Sequence, residues 1–175
     1  MSRSPALFLD RDGVVNVEKH YLFRIEDFQF MDGLFPLCRK YRDDGFRLVV
    51  ITNQSGIARG YYSLPDVEAL HAWMRERFQE QGVPLDGLYL CPHHPAVDGH
   101  CSCRKPEPGM ILQAAKDLDL DLPNSVLLGD KPSDLEAGRR AGIGKLGLVR
   151  GKTGIEGVEW DIPGPGNPPP RTIQS

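Results

Sequence analysis

The chain of 175 residues has no long hydrophobic run and no excess of basic residues. No apolar stretch approaches the length that crosses a bilayer, and the first residues lack the hydrophobic region of a signal peptide. The formal net charge of −3 gives no sign of non-specific electrostatic binding to nucleic acid or to a membrane surface. We therefore expect a cytoplasmic protein with no nucleic-acid or membrane partner. We also expect a monomer.

Cysteine is also scarce, with four in the chain. In a cytosolic protein these thiols are expected to be reduced and available to a metal rather than paired in disulfides. Hydrophobic residues make up 40% and charged residues 26% of the chain, close to the average of globular domains. No internal repeat is present. A chain of this size fits one domain and buries a good core without cross-links.

Apolar segments typical of buried strands alternate with segments of helical period. The strands are predicted at 6–9, 47–52, 85–90, 126–129 and 146–149, and the helices at 33–44, 63–82, 109–118 and 133–141. This alternation predicts an α/β fold with a parallel, doubly wound sheet. Ser63 and Ser133 are suited to cap the second and fourth helices. We assign residues 1–150 to one domain and 151–175, rich in glycine and proline, to a lightly packed tail.

Polar side chains follow three of the predicted strands. Asp10 and Asp12 follow the first, and on their own they fit an Asp-rich turn as well as a Mg²⁺ site, because two neighbouring carboxylates must be neutralised if they are buried. Thr52 and Asp130 end two further strands, and Lys105 precedes a helix. Because parallel strands bring their carboxyl ends to one edge, these groups are expected to meet there. Together they offer the nucleophile, metal ligands, phosphate donors and acid that phosphate-ester hydrolysis requires.

Four short motifs, in order along the chain, resemble those of the haloacid dehalogenase (HAD) superfamily of phosphatases. They are Asp10-x-Asp12-Gly13 after a strand, Thr52 at a strand end, Lys105 ahead of a helix, and Gly129-Asp130-x-x-x-Asp134. They extend over residues 6–149, and four motifs in order are far more specific than any one of them. The resemblance implies a Rossmann-like sheet of the HAD type and a phosphatase activity.

The same resemblance implies a role for each motif residue. Asp10 is the nucleophile, which forms an aspartyl-phosphate, and Asp12 protonates the leaving oxygen and then activates water. Thr52 and Lys105 bind the phosphoryl oxygens. Mg²⁺ is held by the Asp10 side chain, the Asp12 carbonyl and the Asp130 side chain, with Asp134 in or near the second layer of groups around the ion. The chemistry is consistent, because Asp10 cannot approach a phosphate dianion until metal and lysine cancel the repulsion.

The loop at residues 91–106 carries three of the four cysteines. Cys91-x-His93 and Cys101-x-Cys103 offer three sulfurs and one imidazole, a set suited to a closed, tetrahedral, structural Zn²⁺ site that folds the loop rather than catalyses. His94 and His100 are alternative ligands to His93, and an unligated loop with chance cysteines is the other interpretation. Cys38 lies on the apolar stripe of a helix and is expected to be a buried thiol.

The loop at residues 53–60, together with residues 91–95 and 101–106, makes the chain similar to the D-glycero-D-manno-heptose 1,7-bisphosphate 7-phosphatases. Histidinol-phosphate phosphatase domains share much of this pattern. The resemblance implies a small-molecule sugar phosphate whose 7-phosphate is hydrolysed. The candidate binding residues for the substrate and its second phosphate are Asn53, Arg59, Arg104 and Lys152. Of the basic ones, Arg104 is the first choice, because it adjoins both the cysteine loop and Lys105.

No insertion is large enough to form a separate cap domain. The segments at 18–30 and 54–60 and the cysteine loop are therefore expected to wall the pocket. Two alternatives stay open at this point: a histidinol-phosphate phosphatase, and a zinc-bearing binding module with an inactive phosphatase-like fold. The acidic and basic groups at the strand ends argue against the binding module, because a pure binding module needs no phosphoryl site.

Overall fold

The computed structural model describes residues 3–161 of the chain. The strands are β1 (Ala6–Asp10), β2 (Arg47–Asn53), β3 (Gly87–Cys91), β4 (Val126–Gly129), β5 (Lys145–Leu148) and β6 (Glu159–Trp160). The helices are α1 (Leu34–Asp43), α2 (Leu64–Glu80), α3 (Pro95–Asp98), α4 (Gly109–Leu118) and α5 (Pro132–Ala141), with 3₁₀ turns at Ile25–Asp27 and Leu122–Asn124. None of the helices in residues 3–161 combines the length and apolar composition that a bilayer crossing needs.

The strands form one six-stranded sheet in the order β3-β2-β1-β4-β5-β6. The first five strands pair in parallel, and β6 pairs antiparallel to β5. The predicted α/β fold with a mostly parallel sheet is thus confirmed. β1 lies between β2 and β4, so the loop that follows Asp10 leaves the sheet at the point where the strand order reverses, where α/β sheets bind their ligands.

Side chains of β1 enter two hydrophobic clusters alternately. Leu7 and Leu9 pack with side chains of α1 and α2 on one face of the sheet. Ala6 and Phe8 pack with side chains of α4 and α5 on the other face. The sheet is therefore covered on both faces, which explains why the sequence of β1 is a continuous apolar run. Within residues 3–161, β1 is followed by a 3₁₀ turn and α1, and β2 by α2, with no inserted domain.

The starts of α2 and α5 differ from one another. The Ser63 hydroxyl accepts a hydrogen bond from the N–H of Asp66, whose carboxylate accepts one from the N–H of Ser63, so the predicted cap at Ser63 is confirmed. The predicted cap at Ser133 is wrong, because α5 begins one residue earlier and Ser133 lies in its first turn. Asp134 Oδ2 instead accepts the N–H groups of Asp130 and Lys131, both at 3.1 Å. The start of α5 is therefore held by a side chain of the candidate site.

The segment after β5 is better packed than its composition suggests. β6 pairs with β5, and Ile155, Val158 and Trp160 pack against the core. The N–H of Ile155 donates to the carbonyl of Asp32 at 2.9 Å. Each of residues 151–161 is nevertheless half-buried or exposed, so the lightly packed tail stays a prediction. The rest of the predicted tail, residues 162–175, lies outside the described residues.

Candidate active site

A lysine and three carboxylates meet at the carboxyl edge of the sheet. Lys105 Nζ lies 2.6 Å from Asp10 Oδ1 and 2.7 Å from Asp134 Oδ1, and its side chain is 3% exposed. Asp10, Asp130 and Asp134 each contribute an oxygen to a cluster whose members lie within 4.8 Å of one another. The structure thus brings together four of the residues that the sequence assigned to the site.

The cluster contains more negative than positive charge. Burial raises the pKa of Asp10 well above its ordinary value, and the nearby Asp134 and Asp130 raise it further, while Lys105 opposes the shift. The pKa of Asp130 is also raised, mainly by burial. Burial lowers the pKa of Lys105, but the two carboxylates in contact with it outweigh burial and raise that pKa. One ammonium group does not balance three carboxylates, and the deficit is what a cation would supply.

The residues present fit a Mg²⁺ ion. Asp130 Oδ1 is buried without a hydrogen-bond partner, which is costly unless another group contacts it. Gly13 has φ +92°, and a Cβ atom there would lie 2.2 Å from Asp130 Oδ2, so only glycine leaves room beside this carboxylate. Both oxygens of Asp134 already accept hydrogen bonds or the Lys105 ion pair. Oδ1 of Asp10 is likewise paired with Lys105, so the carboxylate oxygens free for a hard cation are Oδ2 of Asp10 and those of Asp130.

The carboxylate of Asp12 is surrounded by donors. Its Oδ1 accepts from Arg11 Nη2 at 2.7 Å, from Arg11 Nε at 3.2 Å and from Asn16 Nδ2 at 3.1 Å. Its Oδ2 accepts from Gln54 Nε2 at 3.2 Å. The sequence indicated no individual role for Arg11, Asn16 or Gln54. Their positions in the loops directly after β1 and β2 were the one feature that pointed to the site.

Arg11 is fully buried and makes a contact with a histidine of α2. Arg11 Nη1 lies 3.2 Å from His71 Nε2. Burial lowers the pKa of His71 to about 3, and the Arg11 charge lowers it further. His71 packs with the buried apolar side chains of α2, and its ring also has this polar partner, which the sequence does not indicate.

The buried His71 ring is expected to make the protein less stable in acid. Its ordinary pKa of 6.5 applies to the unfolded chain, so below pH 6.5 the unfolded state binds a proton that the folded state does not. The contribution of the neutral His71 ring to the free energy of unfolding is therefore fully present above pH 6.5. It is lost as the pH falls toward 3, with a slope of up to about 1.4 kcal/mol per pH unit. Urea unfolding at several pH values should give a flatter profile for His71→Gln. The exposed His100→Gln control should keep the original slope.

Thr52 and Asn53 lie at the end of β2. Gln54 Nε2 donates to Thr52 Oγ1 at 2.8 Å, and Tyr62 OH donates to Gln54 Oε1 at 2.6 Å. The N–H of Lys105 donates to Asn53 Oδ1 at 3.1 Å, and Asn53 Nδ2 donates to the Lys105 carbonyl at 3.4 Å. Asn53 thus ties the chain at Lys105 to the sheet. Its predicted role in substrate binding, like that of Thr52, stays a prediction.

A polar pocket of about 300 Å³ opens above the cluster. Arg104 lines it, and so do Lys131 and Ser133, for which the sequence indicated no role in the site. Arg59 reaches it indirectly, since its Nη1 donates to the hydroxyl of the lining residue Tyr21 at 2.7 Å. Lys152 lines a neighbouring cavity that shares Glu18 with the first. Of the three basic candidates, Arg104 is therefore the one placed on the pocket wall.

The four predicted zinc ligands lie together beside this pocket. One ligand atom from each of Cys91, His93, Cys101 and Cys103 falls within 4.8 Å of the others. His93 Nδ1 lies 3.5 Å from Cys91 Sγ and 3.2 Å from Cys103 Sγ. His94, one of the alternatives to His93, instead accepts the N–H of Ala96 at the start of α3. Cys91 ends β3, so one corner of the cluster is anchored in the sheet.

The chain resembles known proteins over most of its length. A family model described as HAD-hydrolase-like matches residues 102–165. The D-glycero-alpha-D-manno-heptose-1,7-bisphosphate 7-phosphatase of Campylobacter jejuni is 49% identical over 147 residues, 84% of this chain and 83% of that protein. The D-glycero-beta-D-manno-heptose-1,7-bisphosphate 7-phosphatase of Yersinia pestis is 48% identical over 153 residues, 83% of this chain and 80% of that protein.

A solved structure supports the same assignment. The crystal structure of D,D-heptose 1,7-bisphosphate phosphatase from B. bronchiseptica, complexed with magnesium and phosphate, superposes with a TM-score of 0.76. The two sequences are 34% identical, and the match covers 86% of this chain and 82% of that one. Sequence identity, shared fold and the cluster at the sheet edge agree, and the chain belongs to the HAD-like family of hydrolases that these phosphatases represent.

Proposed function

We propose that the chain is a Mg²⁺-dependent phosphatase that removes the 7-phosphate of D-glycero-D-manno-heptose 1,7-bisphosphate. The observation that carries the proposal is the Lys105 ammonium group between Asp10 and Asp134, next to the unpartnered oxygen of Asp130. This arrangement gives a phosphoryl group a nucleophile, a positive charge and a place for a metal ion at one point. The sugar is proposed from the names of the relatives with 48% and 49% identity.

Asp10 acts as the nucleophile in the proposed reaction. Its carboxylate oxygen forms a bond to phosphorus while the bond from phosphorus to the sugar oxygen breaks, and Asp12 gives its proton to that oxygen. Asp12 then takes a proton from water, which attacks the aspartyl-phosphate and releases inorganic phosphate and Asp10. Lys105 binds the phosphoryl oxygens throughout. Mg²⁺, held by Asp10, Asp130 and the Asp12 carbonyl, supplies the remaining positive charge.

The second phosphate of the substrate needs its own basic partner. Arg104 lines the pocket and is held at the zinc-ligand loop, where its Nη1 donates to the His93 carbonyl at 3.4 Å. Lys131 is on the same wall. A guanidinium group binds phosphate oxygens through paired N–H donors, so Arg104 is our assignment for this role. Arg59 lies farther out, where its Nη1 donates to the Tyr21 hydroxyl at 2.7 Å, and it is the second candidate for binding the substrate.

Turnover of defined substrates tests the proposal. The purified protein with Mg²⁺ is compared on both anomers of the heptose bisphosphate and on histidinol phosphate, with released phosphate as the readout. We expect kcat/KM to be at least roughly tenfold higher for a heptose bisphosphate, because Arg104 has a second phosphate to bind. Arg104→Met should remove most of this preference. A preference for histidinol phosphate would overturn the proposed sugar substrate. No turnover of any of these compounds would favour a binding module.

We propose further that Cys91, His93, Cys101 and Cys103 hold one structural Zn²⁺ ion. Three thiolates and one imidazole complete a tetrahedral shell with no position open for chemistry. The support is the closeness of the four ligand atoms in a loop with little hydrophobic core of its own. Arg104 and Lys105 directly follow Cys103, so the ion would order the loop that carries both basic residues.

Loss of one zinc ligand is expected to loosen this loop without unfolding the sheet. Cys103→Ser should lose the bound zinc and lower kcat/KM about 10- to 100-fold, because Lys105 and Arg104 are no longer held in place. Metal analysis and steady-state kinetics measure the two effects. Cys38→Ala is the matched control, since Cys38 lies on the buried face of α1, in the core. It should keep about one zinc per chain. A zinc-free Cys103→Ser protein with full activity would contradict the proposal.

A further inference from the structure

We propose that Arg11 and His71 are positioning residues that leave Oδ2 of Asp12 as the oxygen that carries the proton. The inference rests on the proposed phosphatase function and adds to it the orientation of the acid. Arg11 and His71 have no place in the reaction as derived above, although both are buried and both reach Asp12 directly or through one contact.

The two oxygens of Asp12 have unequal surroundings. Oδ1 accepts three N–H donors, two from Arg11 and one from Asn16. A carboxylate oxygen with three donors has no lone pair left for a proton, and the adjacent guanidinium charge repels one. Oδ2 accepts a single hydrogen bond, from Gln54 at 3.2 Å. A proton on this carboxyl group therefore resides on Oδ2.

Arg11 is held in this orientation by two further acceptors. Its Nη2 donates to the carbonyl of Leu22 at 3.0 Å, and its Nη1 lies 3.2 Å from His71 Nε2. An arginine has donors only, so His71 Nε2 must accept, and the ring is neutral with its proton on Nδ1. Arg11 is fully buried, so without this acceptor one of its N–H groups would lack a partner and the guanidinium would rotate to find one.

Such a rotation would misplace Asp12 both as acid and as base, and the step that needs the acid can be followed separately through kcat/KM. In that step the electron pair of the phosphorus–oxygen bond goes to the leaving oxygen, and the proton of Asp12 Oδ2 follows it. A sugar alkoxide is a poor leaving group and requires the proton, whereas p-nitrophenolate leaves without one. A misplaced Asp12 should thus slow sugar-phosphate cleavage more than aryl-phosphate cleavage. A general loss of packing would slow both equally.

The test compares kcat/KM on heptose bisphosphate and on p-nitrophenyl phosphate, because kcat/KM reports the steps up to departure of the leaving group. For His71→Leu we expect the sugar-phosphate value to fall about tenfold more than the aryl-phosphate value. His71→Gln keeps an acceptor oxygen and should recover most of the kcat/KM on the sugar phosphate that His71→Leu loses. The shorter His71→Asn should recover part of it. Equal losses on the two substrates in folded variants, or no loss on either, would overturn the proposal.

A second measurement addresses the geometry without activity. The ¹⁵N spectrum of the unmodified protein should show His71 as the neutral tautomer with a bare Nε2 at every pH between about 5 and 8. A His71 that carries its proton on Nε2, or that titrates near pH 6.5, would overturn the contact with Arg11. Failure of the proposed function has a different signature, namely no turnover of either phosphate by the unmodified protein.

Discussion

Replacement of Asp10 by asparagine is expected to reduce kcat by at least roughly 10³-fold, because the amide cannot form the aspartyl-phosphate. The fold should survive, since asparagine has nearly the same shape and Lys105 keeps its ion pair with Asp134 at 2.7 Å. Zinc content should be unchanged, because the Cys/His cluster is built from other residues. Steady-state kinetics, circular dichroism and metal analysis together separate loss of the nucleophile from loss of structure.

The matched control for this variant is Asp43→Asn, at the exposed last residue of α1. It removes one negative charge from the surface. Its kcat should stay within about twofold of that of the unmodified protein, as is usual for surface changes away from a site. Freshly prepared Asp10→Asn protein, checked by mass spectrometry for hydrolysis of the amide, excludes regenerated aspartate. Full activity in that preparation would remove Asp10 from the role of nucleophile.

Lys105→Met is expected to lower both activity and stability, and Mg²⁺ should restore part of the stability. Without the ammonium group, Asp10, Asp130 and Asp134 face one another, and removal of one partner from a buried ion pair costs about 3–5 kcal/mol. A divalent ion among the carboxylates replaces some of the missing charge. Urea unfolding with and without Mg²⁺ should therefore show a larger stabilisation by the metal in Lys105→Met than in the unmodified protein.

The pH dependence of this variant provides a further check. The folded pKa of Asp10 already lies well above the value of 3.8 that applies to the unfolded chain, and loss of Lys105 raises it further. A raised folded pKa gives stability at low pH that is lost as the pH rises, so metal-free Lys105→Met should be more stable in mild acid than at neutral pH. Lys116→Met, on the exposed side of α4, should behave like the unmodified protein. An equal stabilisation of Lys105→Met and Lys116→Met by Mg²⁺ would contradict this prediction.

The meeting of the acidic and basic groups at one edge of the sheet could be predicted from the sequence, for a geometric reason. Asp10, Thr52 and Asp130 end or directly follow parallel strands, and any parallel register brings such positions to one edge. Lys105 was located through its place ahead of α4. The grouping of Cys91, His93, Cys101 and Cys103 was predicted from their residue types and spacing. In each case the pattern that allows the prediction lies within a few neighbouring residues, and the fold brings the separate patterns together.

The supporting contacts could not be predicted, because they join residues far apart in the chain. Arg11 and His71 are separated by 60 residues, and Gln54 and Asp12 by 42. An arginine in a polar loop is ordinarily exposed, and nothing local indicates that this one is fully buried. The same limit applies to β6, whose two residues lie in a glycine- and proline-rich segment and pair with a strand that precedes them.

The short strand β6 has a consequence for one edge of the sheet. It is the outermost strand beside β5, and Trp160 lies over Lys145, with Nζ 3.9 Å from the ring centre. A chain cut after Arg150 would leave β5 with a row of free N–H and C=O groups, the kind of edge on which a second molecule adds a strand. The two residues of β6 are too few to offer such an edge themselves. β6 thus blocks the addition of a strand at this edge of the sheet.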